Sequence, residues 1–421
     1  MTQKEGKRMV LENFDQLLEK YATVLVKKGL AIKEGDYLNI RADIEMAPFA
    51  RILTRQAYEA GAAMVVIDWM DDTLARLDLE NIDEEILTDI PQYQVDRLDF
   101  LMEHKAKLLA LRANDPNALK GLDAKKVSNY NAARSKAFQG FNDKVQANVV
   151  SWLVAAGAGK EWAKLVFPEK SDEEAVDALW DQIFKTTRVY EEDPIKAWDE
   201  HEATLKEKAD YLNKEQFDAL HYSAPNGTDL TLGLPKNHLW VSAGSYSSDG
   251  DKFIANMPTE EVYTAPDYRR ADGVVKSTKP LAHAGSVIDG MTFTFKDGQV
   301  VEVTAEESED TIKNLVFDNE GARSLGEVAL VAHKSPISMS EIIFFNTLFD
   351  ENASNHLALG QAYPTCLEGG EKMSAEEVKD AGLNRGTVHV DFMIGNEDMD
   401  IDGIKEDGTR IPIFRKGEWA F

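Results

Sequence analysis

"GDYLNIRADIEMAPFARILTRQAYEAGAAMVVIDW", residues 35–69, reads as strand, helix and strand in turn. "GDYLNIRADI" and "AMVVIDW" carry the apolar and β-branched residues that suit a pleated surface, and "FARILTRQAYEAGA" between them has the apolar period of a helix. A strand that returns after a helix builds a parallel sheet with helices laid on it. The rhythm continues on both sides. Upstream, Leu11, Phe14, Leu17, Leu18, Tyr21 and Leu25 mark an amphipathic helix. Downstream, "AKLLALRA" reads as a strand, and "NVVSWLVAA" follows the helix-like "VSNYNAARSKAFQGFNDKV". The N-terminal part is expected to be a mostly parallel α/β domain.

Residues 171–215 are acidic and helix-forming ("DEEAVDALWDQIFKTT", "IKAWDEHEATLKEKADYLNK") and suggest a helical connection on a solvated face. Past about residue 225 the character changes. "GTDLTLGL", "SVIDGMTFTFKDGQVVEVTA", "GTVHVDFMIG" and "GTRIPIFRKGEWAF" read as alternating strands, with turn signals at Asp289-Gly290, Asp297-Gly298, Asp402-Gly403 and Asp407-Gly408. The expectation is an α/β domain over 1–225, then an α+β, largely antiparallel domain over 226–421.

Composition bounds the function. At 421 residues, 43% hydrophobic and 29% charged, the chain can bury substantial cores in about two domains. Its 74 acidic against 47 basic residues give a formal net charge of −27, which repels nucleic-acid backbones and anionic lipid, so neither partner is expected. The first residues, "MTQKEGKRMVLENFDQLLEK", contain no apolar core of signal-peptide length, and "NVVSWLVAAGAG" is too short to span a membrane. One cysteine, Cys366, excludes an internal disulfide framework and reads as a small buried apolar residue in a reducing compartment. The expected location is the cytoplasm.

Two motifs fail on inspection. "AAGAGKEW" lacks a P-loop's hydroxyl residue after the lysine, where Glu161 stands, and its first glycine, where Val154 stands. "DMDIDG" at 398–403 lacks the EF-hand's twelfth-position glutamate, has Thr409 there, and reads better as a hairpin turn. What remains is a set of carboxylates and imidazoles in the C-terminal half: Glu261, Glu327, Glu351, His356, His389 and Asp391. In "TVHVDFMIG" (387–395) the two-residue period of a strand puts His389 and Asp391 on one face. Singly, each has an ordinary explanation, because acidic side chains are mostly solvated and a strand histidine is commonly a hydrogen-bonded core or surface group. Glu327 resists that explanation, because it lies inside the apolar run "LGEVALVA", where an unpaired charge costs several kcal/mol. Imidazoles with carboxylates suit zinc, cobalt or manganese.

Five stretches, "NMPTEEVYTAP", "NEGARSLGEVALV", "FFNTLFDENASNHLALGQAYP", "TVHVDFMIG" and "IPIFRKGEWAF", in this order, resemble the thermophilic-aminopeptidase family of metallopeptidases, peptidase family M29 (the aminopeptidase T, aminopeptidase S and PepS group). The resemblance covers nearly the whole chain, with "ADIEMAPFARILTRQAYEAGA" as a weaker N-terminal part. It implies two divalent ions per chain, zinc or cobalt first and manganese or magnesium after them, with Glu261, Glu327, His356, His389 and Asp391 as ligands. Glu327 is the expected bridging carboxylate. Glu351 matches the family's catalytic glutamate, and Tyr363, in "GQAYPTC", its active-site tyrosine. Glu260 and Glu261 are neighbouring candidates, with Glu261 favoured by its place before "VY".

The implied activity is removal of N-terminal residues from short peptides by a metal-activated water with Glu351 as general base, in a homodimer. Hydrolysis of another amide, or metal and peptide binding without catalysis, would use the same ligands. Glu351 and Tyr363 separate these, since a mere binder needs neither.

Overall fold

The computed structural model describes residues 11–283 and 286–421. The first ten residues of "MTQKEGKRMVLENFDQLLEK" lie outside the described residues. The chain forms two compact units: residues 1–199 with 245–258, and 200–244 with 259–421. The expected boundary at 225/226 falls inside the second of these.

The first unit is the parallel α/β body. Strands Tyr37–Asp43, Met64–Met70, Lys107–Arg112, Trp152–Ala156 and Asn256–Met257 pair in parallel, in the spatial order second, first, third, fourth, fifth. The expected first helix spans Phe14–Thr23 and continues over Val24–Gly29 in wider turns, with Leu30 N bonded to Leu25 O at 3.0 Å. Its Tyr21 stacks on Phe49 of helix Ala47–Glu59 at 5.3 Å between centroids, and the Tyr21 hydroxyl donates to the Ala156 carbonyl at 3.0 Å, tying helix to sheet.

The acidic segment 171–215 is helical but not merely solvated. Helix Asp172–Thr186 buries Ala175, Leu179, Trp180, Ile183 and Phe184, and Trp198 and Leu212 of helix Pro194–Glu215 are fully buried. Its abundant charge obscured the apolar stripe. The capping box of Ser171 and Glu174 fixes where the first of these helices begins.

Every named strand pairing in the second unit is antiparallel, as the Asp-Gly turns suggested. Eight strands run in the spatial order 299–304, 292–296, 271–276, 229–233, 219–223, 400–404, 410–415, 418–419. Asp297-Gly298 makes the expected two-residue hairpin turn, with Lys296 paired to Gln299, and Gly408 sits at φ +84° in the Asp407-Gly408 turn. Asp402-Gly403 is a correction. It lies inside strand Asp400–Ile404, where Asp402 pairs with His221, so "DMDIDG" is not a hairpin turn. A Cβ on Gly403 would meet the Phe217 ring at 2.5 Å, so this glycine makes room for a ring and not for a turn.

A second, four-stranded antiparallel sheet carries the candidate site. Its order is Val262–Thr264, Leu325–Leu330, His356–Gly360, His389–Met393. Its back face packs on the larger sheet through Phe392 on Phe293, centroids 4.5 Å apart.

Candidate metal centre

Strand register assembles the site. Ala358 pairs with Glu327 on one side and Asp391 on the other, His356 pairs with Ala329, and Gly360 pairs with His389. Pairing partners share a face, so Glu327, His356, His389 and Asp391 all emerge from the front of this sheet. The intervening front positions are small: Ala329, Ala358 and Gly360. Larger residues there would fill the space the polar groups converge on. At Gly326 a Cβ would meet the Gly360 carbonyl oxygen at 2.3 Å, and the pairing shifts register between Leu325 and Glu327.

Glu327 lies at the centre. Its Oε1 is 3.5 Å from His356 Nε2, and its Oε2 is 3.7 Å from His389 Nε2. Glu261 Oε2 approaches His356 Nε2 at 3.2 Å, and Asp391 Oδ1 approaches His389 Nε2 at 3.4 Å. Two groups of possible ligands result, Glu261–Glu327–His356 and Glu327–His389–Asp391, which share Glu327. All five expected ligand residues therefore come together. Of the neighbouring pair Glu260 and Glu261, only Glu261 faces this cluster, while Glu260 Oε2 lies 3.5 Å from His201.

The donor set fits a cation. His356 Nδ1 is engaged by the Ser354 carbonyl at 3.1 Å and His389 Nδ1 by the Gln361 carbonyl at 2.7 Å, which leaves both Nε2 atoms facing the carboxylates. Glu261 Oε2 and Asp391 Oδ1 are buried without a hydrogen-bond partner, an arrangement a bound cation would satisfy. Electrostatics agree. Burial presses both imidazoles down, yet Glu261 and Glu327 carry His356 well above the usual histidine range, and Asp391 and Glu327 carry His389 up to about 10. Burial, only partly offset by His356, raises Glu327, whereas the two histidines outweigh burial and lower Asp391.

Glu351 follows the short helix Thr347–Asp350, whose start is fixed by Asn346 accepting from Leu348 N at 3.1 Å. Buried Asp350 accepts from the amides of Phe344 and Asn346 at 2.8 and 3.0 Å, which anchors the turn behind Glu351. Burial and then the charges of Glu261 and Asp391 push Glu351 well above the usual carboxylate range, which places it in the cluster's field. Tyr363 lies against His389, centroids 5.0 Å apart, and burial followed by Glu327 and Asp391 raises its pKa.

Sequence reasoning missed Tyr263 and Asn352. Tyr263 pairs with Ala329 and packs edge-on to Tyr363 at 6.4 Å. It stands two residues beyond Glu261, so the alternation that linked His389 with Asp391 could have found it. Asn352 is fully buried; its Oδ1 accepts from Glu260 N at 2.7 Å, and its Nδ2 donates to the Leu348 carbonyl at 3.0 Å and approaches Glu351 Oε1 at 3.4 Å. It ties the backbone beside Glu261 to the turn bearing Glu351, and no local sequence signal reports so distant a bond.

The family model described as thermophilic metalloprotease (M29) matches residues 14–419. The chain belongs to this family. As a member of M29 it is a hydrolase acting on peptides. It is 55% identical over 413 residues to aminopeptidase PepS of Streptococcus thermophilus, covering 98% of this chain and 100% of that one. To aminopeptidase AmpS of Bacillus subtilis it is 46% identical over 411 residues, covering 98% and 100%. The solved structure of wild-type AmpT from Thermus thermophilus superposes with a TM-score of 0.91 at 41% identity, over 97% of this chain and 100% of that one. The M29 fold is thus the mixed architecture described above, parallel in its first sheet and antiparallel in the rest. Among the described residues no helix is long and apolar enough to cross a membrane.

Proposed function

We propose that this M29 member is an aminopeptidase that removes single residues from the free N-terminus of short peptides, using two divalent ions. The observation that carries the reading is the placement of Glu327, whose two oxygens face two different histidines, each with its own further carboxylate. Glu261, Glu327 and His356 would hold one ion, and Glu327, His389 and Asp391 the other. Zinc and cobalt suit this nitrogen and oxygen set, and manganese or magnesium would favour its carboxylates. When bound, such ions lower the pKa of a water toward neutrality and polarise a carbonyl.

The chain's own groups do the rest. Glu351 takes the proton from the attacking water and returns it to the departing amine. The Tyr363 hydroxyl donates to the oxygen that becomes negative in the tetrahedral intermediate. The carboxylate-rich cluster favours a substrate that enters with an ammonium, which argues for a free N-terminus. A homodimer is the assembly that the resemblance implies, and the single cysteine fits the cytoplasm.

The test is release of free amino acid from a short peptide and from its N-acetylated form, with and without a chelator. The unblocked peptide should be cleaved and the acetylated one should not, with all cleavage lost in the chelator. Cleavage of both at comparable rates would refute exopeptidase action. Cleavage unaffected by complete metal removal would refute the metal centre.

A further inference from the structure

The parallel sheet of the first unit has two unlike faces. Leu38, Ile40, Ala42, Leu109, Leu111, Leu153 and Ala155 point one way and are buried. Asn39, Arg41 and Asp43 point the other way with Leu108, Ala110 and Arg112, of which the last three are only half-buried. Parallel sheets are ordinarily covered on both sides. Tyr37, on this second face, packs against Phe100 of helix Gln92–Glu103 and against His104, which follows that helix. Right-handed crossover puts helices Ala124–Ala137 and Gln139–Gln146 on the same side. No residue of 125–137 or 139–146 is buried, so these helices cover the face loosely.

The spatial strand order adds a second observation. The chain leaves strand 37–43 toward strand 64–70 on one side and later returns to place strand 107–112 on the other. The junction between 37–43 and 107–112 is therefore a topological switch point, and ligands of open parallel sheets lodge in the crevice at the carboxyl ends of such strands. Arg41 and Arg112 occupy those ends.

We propose that this crevice binds an oxyanion, a carboxylate or phosphate group, through Arg41, Arg112 and Arg134. Among the described residues the Arg112 guanidinium makes no hydrogen bond or ion pair. The polar contact of Arg41 is its Nε with Met70 Sδ at 2.9 Å, and that of Arg134 is with the Tyr130 hydroxyl at 3.1 Å. Asp68, opposite Arg41 in register, is already engaged by Arg97 and by Asn39 Nδ2. Arg41 and Arg112 stand one same-face pairing step apart on adjacent strands of this face, in a chain of net charge −27. Their mutual effect is evident at Arg41, which partial burial and the charges of Arg112 and Arg134 push down to about 10. An oxyanion offers the forked acceptor geometry that guanidinium donors match. Arg41 reaches solvent and Arg112 and Arg134 are half-buried, so the ligand has an entry path. Asp43 bounds the cationic region. Burial and then Asp72, Glu45 and Asp71 hold its carboxyl up to about 6, at the edge of an acidic cluster.

The test is isothermal titration of the protein as purified with inorganic phosphate and with succinate, against chloride at matched ionic strength. Saturable binding at one site per chain is expected, with the two probes competing. Arg112→Gln and Arg134→Gln should each weaken it at least tenfold, with Arg112→Lys in between because it keeps charge and loses the fork. Arg134 lies on a helix that buries little, so its substitution leaves the fold intact, and a thermal melt verifies this. Tighter phosphate identifies a phosphoryl ligand and tighter succinate an organic carboxylate; either supports the site. No saturable heat with either probe, or binding unchanged in both glutamine variants, would overturn it.

Discussion

Gly360 pairs with His389 in the site sheet at φ +100°, and a Cβ built there meets the Val388 carbonyl oxygen at 2.0 Å. Gly360→Ala therefore introduces two costs. Backbone strain in a region that L-residues avoid contributes about 1–3 kcal/mol, and forcing atoms into a packed site contributes about 1–3 kcal/mol more. Gly408→Ala separates them, because Gly408 has φ +84° with nothing within 4 Å of its Cβ. It incurs the strain alone. At roughly 1 °C per kcal/mol for a chain of this size, Gly360→Ala should melt about 1–3 °C below Gly408→Ala. The clash also moves the His389 strand, and a misplacement near 1 Å can cost about 100-fold in rate. Peptide hydrolysis should therefore collapse in Gly360→Ala and survive in Gly408→Ala. Equal melting temperatures and equal rates in the two variants would refute the packing argument.

Two further outcomes are expected. Glu351→Gln keeps the side-chain shape and removes the proton acceptor, so kcat should fall about 10²- to 10⁴-fold while metal content, read by elemental analysis, stays at the wild-type level; loss of metal would make Glu351 a ligand instead. Asp43, raised to about 6, has a folded pKa above its unfolded value, so its contribution to stability is full below about pH 4 and is lost as pH rises through 6. Asp43→Asn should then be more stable than wild type at pH 8 by roughly 1 kcal/mol, discounted for solvent near its acidic neighbours, with no gain at pH 4 in denaturant titrations.

Local periodicity carried much of this fold. The parallel body could be read from residues 35–69 because each strand and helix there has its own apolar period, and two-residue alternation put His389 and Asp391 on one face. Spatial order could not be read, since pairing strand 107–112 with 37–43 depends on contacts far apart in sequence. Asp402-Gly403 misled because an Asp-Gly pair marks a turn only where glycine adopts positive φ, and Gly403 instead yields space to Phe217. The helices of 171–215 misled because charge on one side masked Trp180 and Trp198 on the other. Within the site, the candidate ligand set was legible through resemblance to a family, while the small front positions Ala329 and Ala358 and the bonds of Asn352 needed the register of the strands.

The central claim is that Glu327 is shared between two ions, and metal stoichiometry tests it most directly. Elemental analysis of protein saturated with zinc and freed of excess should find two ions per wild-type chain. His356→Ala and His389→Ala should each weaken one ion, whereas Glu327→Gln should lose both, because it alone belongs to both ligand groups. Two ions retained by Glu327→Gln, or none bound by the folded wild-type chain, would contradict the account.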